Sequence, residues 1–413
     1  MRRLNVLFLE SFYGGSHKAF ADGYVARSAH AVDLRTLPGQ EWRRRQRLAG
    51  AAFAESVGST SGYDVVVATD LIDLADFTAR VGNAVPVVLY MHETQCTYPP
   101  PKGRTIDDDT VFFDVKNTRL AGAVVFNSWF HRRTFLAAIE PRLRQAHEID
   151  ADGWNRHVRR HSCVVYPGVD VAEVQRLARE HRAGTYGGPE RRRDGRRTPN
   201  IVWNHRWEYD KNPSAFFHAL DALAAKGVDF TVTVMGESSQ AHPKDFEEAR
   251  VRLGERIRHF GYVEERRRYI ELLAEGDITV STSNQENFGI ATVEAIAAGC
   301  LPILPHRLSY PELLPEEFHD SCLYTSQGGL VKTLTTAVLA RAGAEGAGGT
   351  GATGAADTGD ADAGDPTDAA PDTDNGRAPA RLHEAMRRYD WSHSAPALDE
   401  VVEAVARGRS PGG

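Results

Sequence analysis

An α/β protein with two Rossmann-like βαβ domains facing a central cleft is predicted by three observations. Short apolar runs of strand length alternate with amphipathic helical stretches in both halves of the chain. A segment rich in Gly, Pro and Arg, "EHRAGTYGGPERRRDGRRTPN", separates the halves. The 413 residues are also too many for one small core and suit two domains of ordinary size.

The elements follow in order. "LNVLFLE", "YDVVVAT", "VPVVLYM", "GAVVFN" and "CVVYPG" read as buried parallel strands, with helices after Ser16 and from Asp107 to Leu120. The second half restarts with "NIVWN", "FTVTVMG", "IRHFGYV", "DITVSTS" and "LPILP". Pro213 sits near one helix start and Gly227 just past its end, the usual punctuation. The expected division is an N-terminal domain over 1–182, a linker over 183–199, a second domain over 200–341, an insertion over 342–378 and a helical tail over 379–408. The insertion is Gly, Ala, Asp and Thr of low complexity, buries too little apolar surface to order, and is expected to be disordered. The tail regains helical periodicity and is expected to pack back on the body.

The net charge of −7 is unevenly placed. Residues 342 to 376 hold eight acidic groups and no Lys or Arg, so the remainder carries +1 and is no broadly basic nucleic-acid binder. Local arginine runs occur at 43–45, 191–197 and 266–268, and a solvated face accounts for any one of them. Cys96, Cys163, Cys300 and Cys322 lack metal-ligand spacing and read as packed, reduced thiols. No signal peptide or membrane-length apolar run is visible, so a soluble cytoplasmic protein is expected.

Chemistry concentrates at strand ends, where open α/β sheets bind ligands. In "ESFYGGSHKAF", Gly14 and Gly15 let backbone approach a ligand, Ser16 reads as the cap of the next helix, and His17 and Lys18 add polar groups. The dinucleotide fingerprint G-x-G-x-x-G is missing, which counts against NAD. "VVLYMHETQCTYPPP" puts His92 and Glu93 at a strand end; a satisfied structural histidine is the alternative for His92. In "STSNQENFGIATVEAIAAG", Glu286 and Glu294 have seven residues between them, Phe288 and Gly289 included, and two carboxylates on one cleft can accept hydrogen bonds from sugar hydroxyls. Arg206 and Lys211, in "NHRWEYDKNPSAFF", supply cations at the same cleft. Their natural partner is a diphosphate, whose charge grows as its bond to a sugar breaks. A sugar nucleotide is the expected ligand. No DxD sequence ends a strand, and no metal is expected.

R-x4-K followed by E-x7-E resembles the retaining GT-B glycosyltransferases of the GT4-like group. "FYGGSHK", "HETQCTYP", "VVFNS", "WNHRWEYDKNPSAFF" and "GCLPILPHRLSYPELLP" resemble more closely the tRNA-queuosine mannosyltransferases, the glycosyltransferase-like domain-containing 1 family, over residues 5 to 327. The resemblance implies a GT-B fold, GDP-mannose as donor, no cofactor, and queuosine at the wobble position of the aspartate tRNA as acceptor. It implies that Arg206 and Lys211 hold the diphosphate, Glu294 the ribose, and Glu286 with the backbone near Phe288 and Gly289 the sugar. His92 would lie by the transferring sugar, the Gly14–Gly15 loop by the phosphates and the acceptor, and Ser16, His17, Lys18 and Glu93 on the acceptor side. Arginine clusters would supply phosphate contacts to the tRNA. The chain departs from the family at Thr94, where members carry Asn, and at Gln285–Glu286–Asn287, where they carry a His-Glu-Phe-like run. Two other readings stay open: a transferase of the same fold acting on a small molecule or lipid, and a silent sugar-nucleotide-binding or tRNA-binding module.

Overall fold

Among the described residues, twelve strands form two separate six-stranded sheets, and every pairing is parallel. The structure is a computed structural model describing residues 2–82, 85–98, 108–146, 149–184, 198–238, 244–343 and 377–410. Much of the expected linker and all but the ends of the expected insertion lie outside the described residues. The first sheet contains β1 (Asn5–Tyr13), β2 (Ala31–Pro38), β3 (Val65–Thr69), β4 (Val87–Met91), β5 (Ala123–Phe126) and β6 (Ser162–Val164), in the order β2-β1-β3-β4-β5-β6. The second contains β7 (Asn200–Asn204), β8 (Thr231–Met235), β9 (Ile257–Gly261), β10 (Ile278–Val280), β11 (Leu301–Pro305) and β12 (Leu323–Tyr324), in the order β12-β11-β10-β7-β8-β9.

Strand order reverses between β1 and β3 in the first sheet and between β7 and β10 in the second. Each reversal opens a crevice at the carboxyl ends of the strands, where connecting segments leave to opposite sides. The strand interiors need no polar face because helices cover both sides. On β1 the two-residue period divides the core: Leu7 and Leu9 pack with Val66, Leu89, Phe126 and Trp154, while Val6 and Phe8 pack with Val65, Val67, Tyr90 and Trp391.

The tail ties the halves together. Leu382, Met386 and Tyr389 join a core of the second domain, whereas helix Trp391–Ala406 covers the second face of the first sheet. The junction is an isolated parallel bridge between Val169 and Asp390. The Trp391 indole lies against Gly23 and Gly168, where an added Cβ would come within 2.1 and 2.0 Å of it. Both positions therefore need glycine so that the ring can seat on backbone.

Helix Val171–Gly184 corrects the expected first-domain boundary at 182. Val171, Val174, Leu177 and Ala178 are buried with Ile270, Leu273, Val293 and Ile296, so this helix packs in the second domain. β2 and β12 were also absent from the expected strands. Pro213 does open helix Pro213–Ala225, and Gly227 follows it at φ +71°.

Candidate active site

The first crevice is built around a buried acid. Glu10 ends the apolar part of β1 with no solvent exposure. Its Oε1 accepts from the Phe12 amide at 2.8 Å and the Thr69 hydroxyl at 3.2 Å, and lies 3.3 Å from His17 Nδ1. Glu10 Oε2 has no partner among the described residues. The His17 ring lies over His92, centroids 4.1 Å apart. Asp70, at the end of β3, accepts the amides of His92 and Glu93 at 3.2 and 3.3 Å, and so shapes the turn after β4.

Electrostatics divide the two imidazoles. Burial disfavours charge on His17, but the hydrogen bond and charge of Glu10, helped by Asp70 and Glu93, outweigh it and raise its pKa to about 9. His92 moves the other way: burial, then the charges of His17 and His131, hold it well below the ordinary value. A protonated imidazole thus lies against a neutral one, tilted 37° to it, whose Nε2 is buried and has no hydrogen-bond partner among the described residues. Asp70 is pushed up to about 7, chiefly by burial, with His17 opposing and Glu93 adding. Glu10, His17 and His92 bring ligand atoms within 4.8 Å of one another, so a divalent cation there would compete with the His17 proton.

Folded His17 binds its proton more tightly than the unfolded chain does. Its stabilisation is complete below pH 6.5 and is lost as pH rises through about 9. The folding free energy should fall by up to about 3 kcal/mol across that window. Urea midpoints at the two ends check this, and Glu10→Gln should flatten the difference.

The second crevice gathers cations. Lys211, on a short 3-10 turn Tyr209–Lys211, is buried; its Nζ donates to the Gln285 carbonyl at 2.9 Å and to Glu286 Oε2 at 3.2 Å, with Asp210 at 3.4 Å. Thr282 Oγ1 donates to the Lys211 carbonyl, and the Asn284 amide to that of Asp210, which pins the turn to the loop after β10. Arg206 follows β7 and makes no side-chain hydrogen bond or ion pair among the described residues. Desolvation works against its charge, but Asp210, the Tyr98 phenol, Glu93 and Glu208 raise its pKa above the ordinary value. Glu93 and Tyr98 belong to the first domain, so Arg206 feels both walls of the cleft. Gly289, at φ +107°, lets the Glu286 loop turn into helix Ile290–Ala298, and no side chain caps that helix.

Contacts between domains hold the crevices face to face. Asn287 Nδ2 and Asn127 Nδ2 both donate to the His92 carbonyl, at 3.3 and 2.8 Å, and Ser128 Oγ donates to the Asn287 carbonyl. The Glu312 carboxylate accepts the amides of Trp129 and Phe130 at 2.8 and 2.9 Å and the Tyr166 hydroxyl at 2.9 Å. A carboxylate from the second domain therefore occupies the N-terminus of a first-domain helix, where its charge is favoured.

Several expected residues meet here and others do not. His17 and His92 share one crevice, with Glu93 at its rim; Lys211 and Glu286 share the other. Gly14, not Ser16, takes the cap position of helix Gly15–Arg27, with no side-chain cap bond, and Gly15 has φ +52°. Ser16 is exposed, one residue inside the helix. Lys18 turns away to pair with Asp22. Phe288 points inward against Tyr166 and Tyr389, and its carbonyl is taken by Ser309, which leaves no side-chain role in binding. Glu294 does not meet Glu286; it pairs with Arg266 at 2.6 Å and accepts from Tyr269 at 2.9 Å, while Asn204 steadies that phenol at 2.9 Å. Glu10, Asp70 and Glu312 were missed. A carboxylate closing an otherwise apolar strand was the available signal for Glu10.

The family described as "tRNA-queuosine alpha-mannosyltransferase N-terminal" matches residues 5–169, and "Glycosyl transferases group 1" matches residues 192–331. A Drosophila melanogaster protein named tRNA-queuosine alpha-mannosyltransferase is 31% identical over 334 residues, covering 80% of this chain and 86% of that protein. Among solved structures, sucrose-phosphate synthase from Thermosynechococcus elongatus superposes with a TM-score of 0.66 at 12% identity, covering 98% of this chain and 99% of that one. Anabaena HepE in complex with UDP does so at 0.60 and 14%, covering 98% and 100%. These structures establish the GT-B fold. No helix among the described residues is long and apolar enough to cross a membrane.

Proposed function

Because the chain belongs to the tRNA-queuosine alpha-mannosyltransferase family, and is a hexosyltransferase by that membership, we propose that it moves mannose from GDP-mannose onto queuosine at the wobble position of the aspartate tRNA, with retention. One observation carries the donor half of this reading. Buried Lys211, held by Glu286 and Asp210, and Arg206, earlier in the segment that follows β7, bring two cations to the crevice of the second sheet.

In the reaction the bond from the sugar anomeric carbon to the diphosphate breaks, and a bond to an acceptor hydroxyl oxygen forms on the same face. The hydroxyl proton leaves with the diphosphate. Arg206, Lys211 and the amides after Gly289 stabilise the charge that gathers on the leaving group, so a metal is not required. Glu294 takes the ribose diol once Arg266 shifts, and Glu286 orients the sugar hydroxyls. Neutral His92, whose buried Nε2 has no partner among the described residues, can hydrogen-bond the sugar from the opposite wall once donor binding uncovers it. Protonated His17 faces the acceptor.

Nucleoside mass spectrometry after incubation with queuosine-containing tRNA and GDP-mannose tests the proposal. Queuosine gaining one hexose, lost in Glu294→Ala and unaffected by a chelator, is the expected result. GDP release without a shifted nucleoside would leave the donor right and the acceptor wrong. Neither shift nor release with any common sugar nucleotide would overturn both.

A further inference from the structure

Outside the cleft, helices Trp129–Gln145 and Ala151–His161 present a basic face that the transfer chemistry does not use. Trp129 is 53% exposed, although its backbone amide is fixed by Glu312. The Arg132 guanidinium stands 5.8 Å from its ring, and Arg133 stands 5.9 Å from Phe130. Trp129, Arg132, Arg133, Leu136 and Arg159 line one hollow. Its wall is firm, because Arg132 donates to Ser162 Oγ at 2.9 Å and to the Arg159 carbonyl at 3.1 Å.

The positive charge is largely uncompensated. Arg133, Arg156 and Arg160 have no ion pair among the described residues. The carboxylates of these helices are already engaged: Glu140 and Asp152 hold Arg144, and Asp150 caps its helix. The arginine runs that stand out in the sequence contribute less, since Arg266 and Arg268 pair with carboxylates. The hollow also lies beside the cleft. Trp129 directly follows Asn127 and Ser128, which hold the backbone of His92 and Asn287.

We propose that this face docks RNA at the edge of the cleft, with the Trp129 indole stacking an unpaired base and Arg133, Arg156 and Arg160 taking backbone phosphates. The proposal rests on the tRNA reading above and names its contact surface. An exposed indole framed by guanidinium groups suits a splayed base, which needs a π-face and a cationic edge. Arginines without carboxylate partners suit phosphates, because binding does not first break an ion pair. An acidic protein would use the charges but would leave the indole facing water.

The test uses the full chain and queuosine-containing tRNA. Filter binding across a salt series should show that Trp129→Ala weakens affinity roughly tenfold or more, while Trp129→Phe keeps most of it. Arg133→Glu with Arg156→Glu should weaken binding and flatten its salt dependence. Melting temperatures exclude misfolding as the cause. Photo-crosslinking of the parent protein gives a second readout, with cross-linked peptides expected within residues 129–161. Unchanged affinity in all variants, or cross-links confined elsewhere, would overturn the docking face while tRNA binding by the parent upholds the acceptor. A parent chain that fails to bind tRNA would overturn both.

Discussion

Lys211→Met is expected to lower kcat/KM for mannosyl transfer by about a thousandfold, the size of effect seen when a preorganised charge partner of a transition state is removed. Two consequences of the geometry add. In the proposed donor role the leaving diphosphate loses a buried cation, and Glu286 and Asp210 remain as carboxylates with no lysine between them. An incoming diphosphate would then meet net repulsion. Asp210 is 1% exposed and neither of its oxygens has a hydrogen-bond partner among the described residues, so the substitution should also cost on the order of 3 kcal/mol of stability. Lys211→Arg keeps the charge and should retain part of both. Single-turnover rates against donor concentration separate the effects, because a group acting on developing charge lowers kcat more than it raises KM. A loss confined to tRNA affinity would contradict the donor role.

Glu312→Ala is expected to reduce kcat by about 10- to 100-fold without touching either substrate, as misplacement of reacting groups does. The carboxylate accepts two helix amides and a tyrosine hydroxyl across the domain boundary. Without it those donors lose their partner, and the adjoining bonds from Asn287 to the His92 carbonyl and from Ser128 to the Asn287 carbonyl lose their support. His92 would then drift from the donor crevice. Small-angle scattering should show a more open ligand-free chain, with an excess of GDP narrowing the difference. Glu312→Gln keeps one oxygen to accept from these donors but turns an NH2 toward the others and lacks the charge favoured at a helix N-terminus, so it should fall between. Parent-like scattering and kcat in Glu312→Ala would rule out the latch.

Much of the fold was legible because parallel strands covered on both faces must be continuously apolar, and ten such runs stood out. β2 was harder. It is an edge strand, only half buried, and Asp33 and Arg35 interrupt its apolar positions. β12 has two residues, too few to show a period. Helix Val171–Gly184 displayed its apolar stripe plainly, yet a stripe does not say which sheet covers it. That ambiguity is why the expected boundary came too late. At the site, residue types at strand ends exposed Arg206, Lys211, His92 and Glu286, because a polar group there has few reasons to be present other than a ligand. Ser16 misled for a related reason. Its side chain is a good cap, but Gly14 already occupied the cap position.

The sequence by itself determined two open parallel sheets, the crevices at their strand ends, and the cations and carboxylates available to a sugar nucleotide. Each follows from local chemistry: apolar runs bury, Gly and Pro punctuate, and charges gather where backbone ends leave room for ligands. Only the tertiary structure decided which of those charges meet. It paired Glu294 with Arg266 and Tyr269 rather than with Glu286, set protonated His17 against neutral His92 over Glu10, turned Phe288 into the core, and placed Glu312 on a helix of the opposite domain. Those outcomes depend on burial and on distances between segments far apart in the chain, and interaction energies set by distance and local dielectric are not encoded in any local pattern.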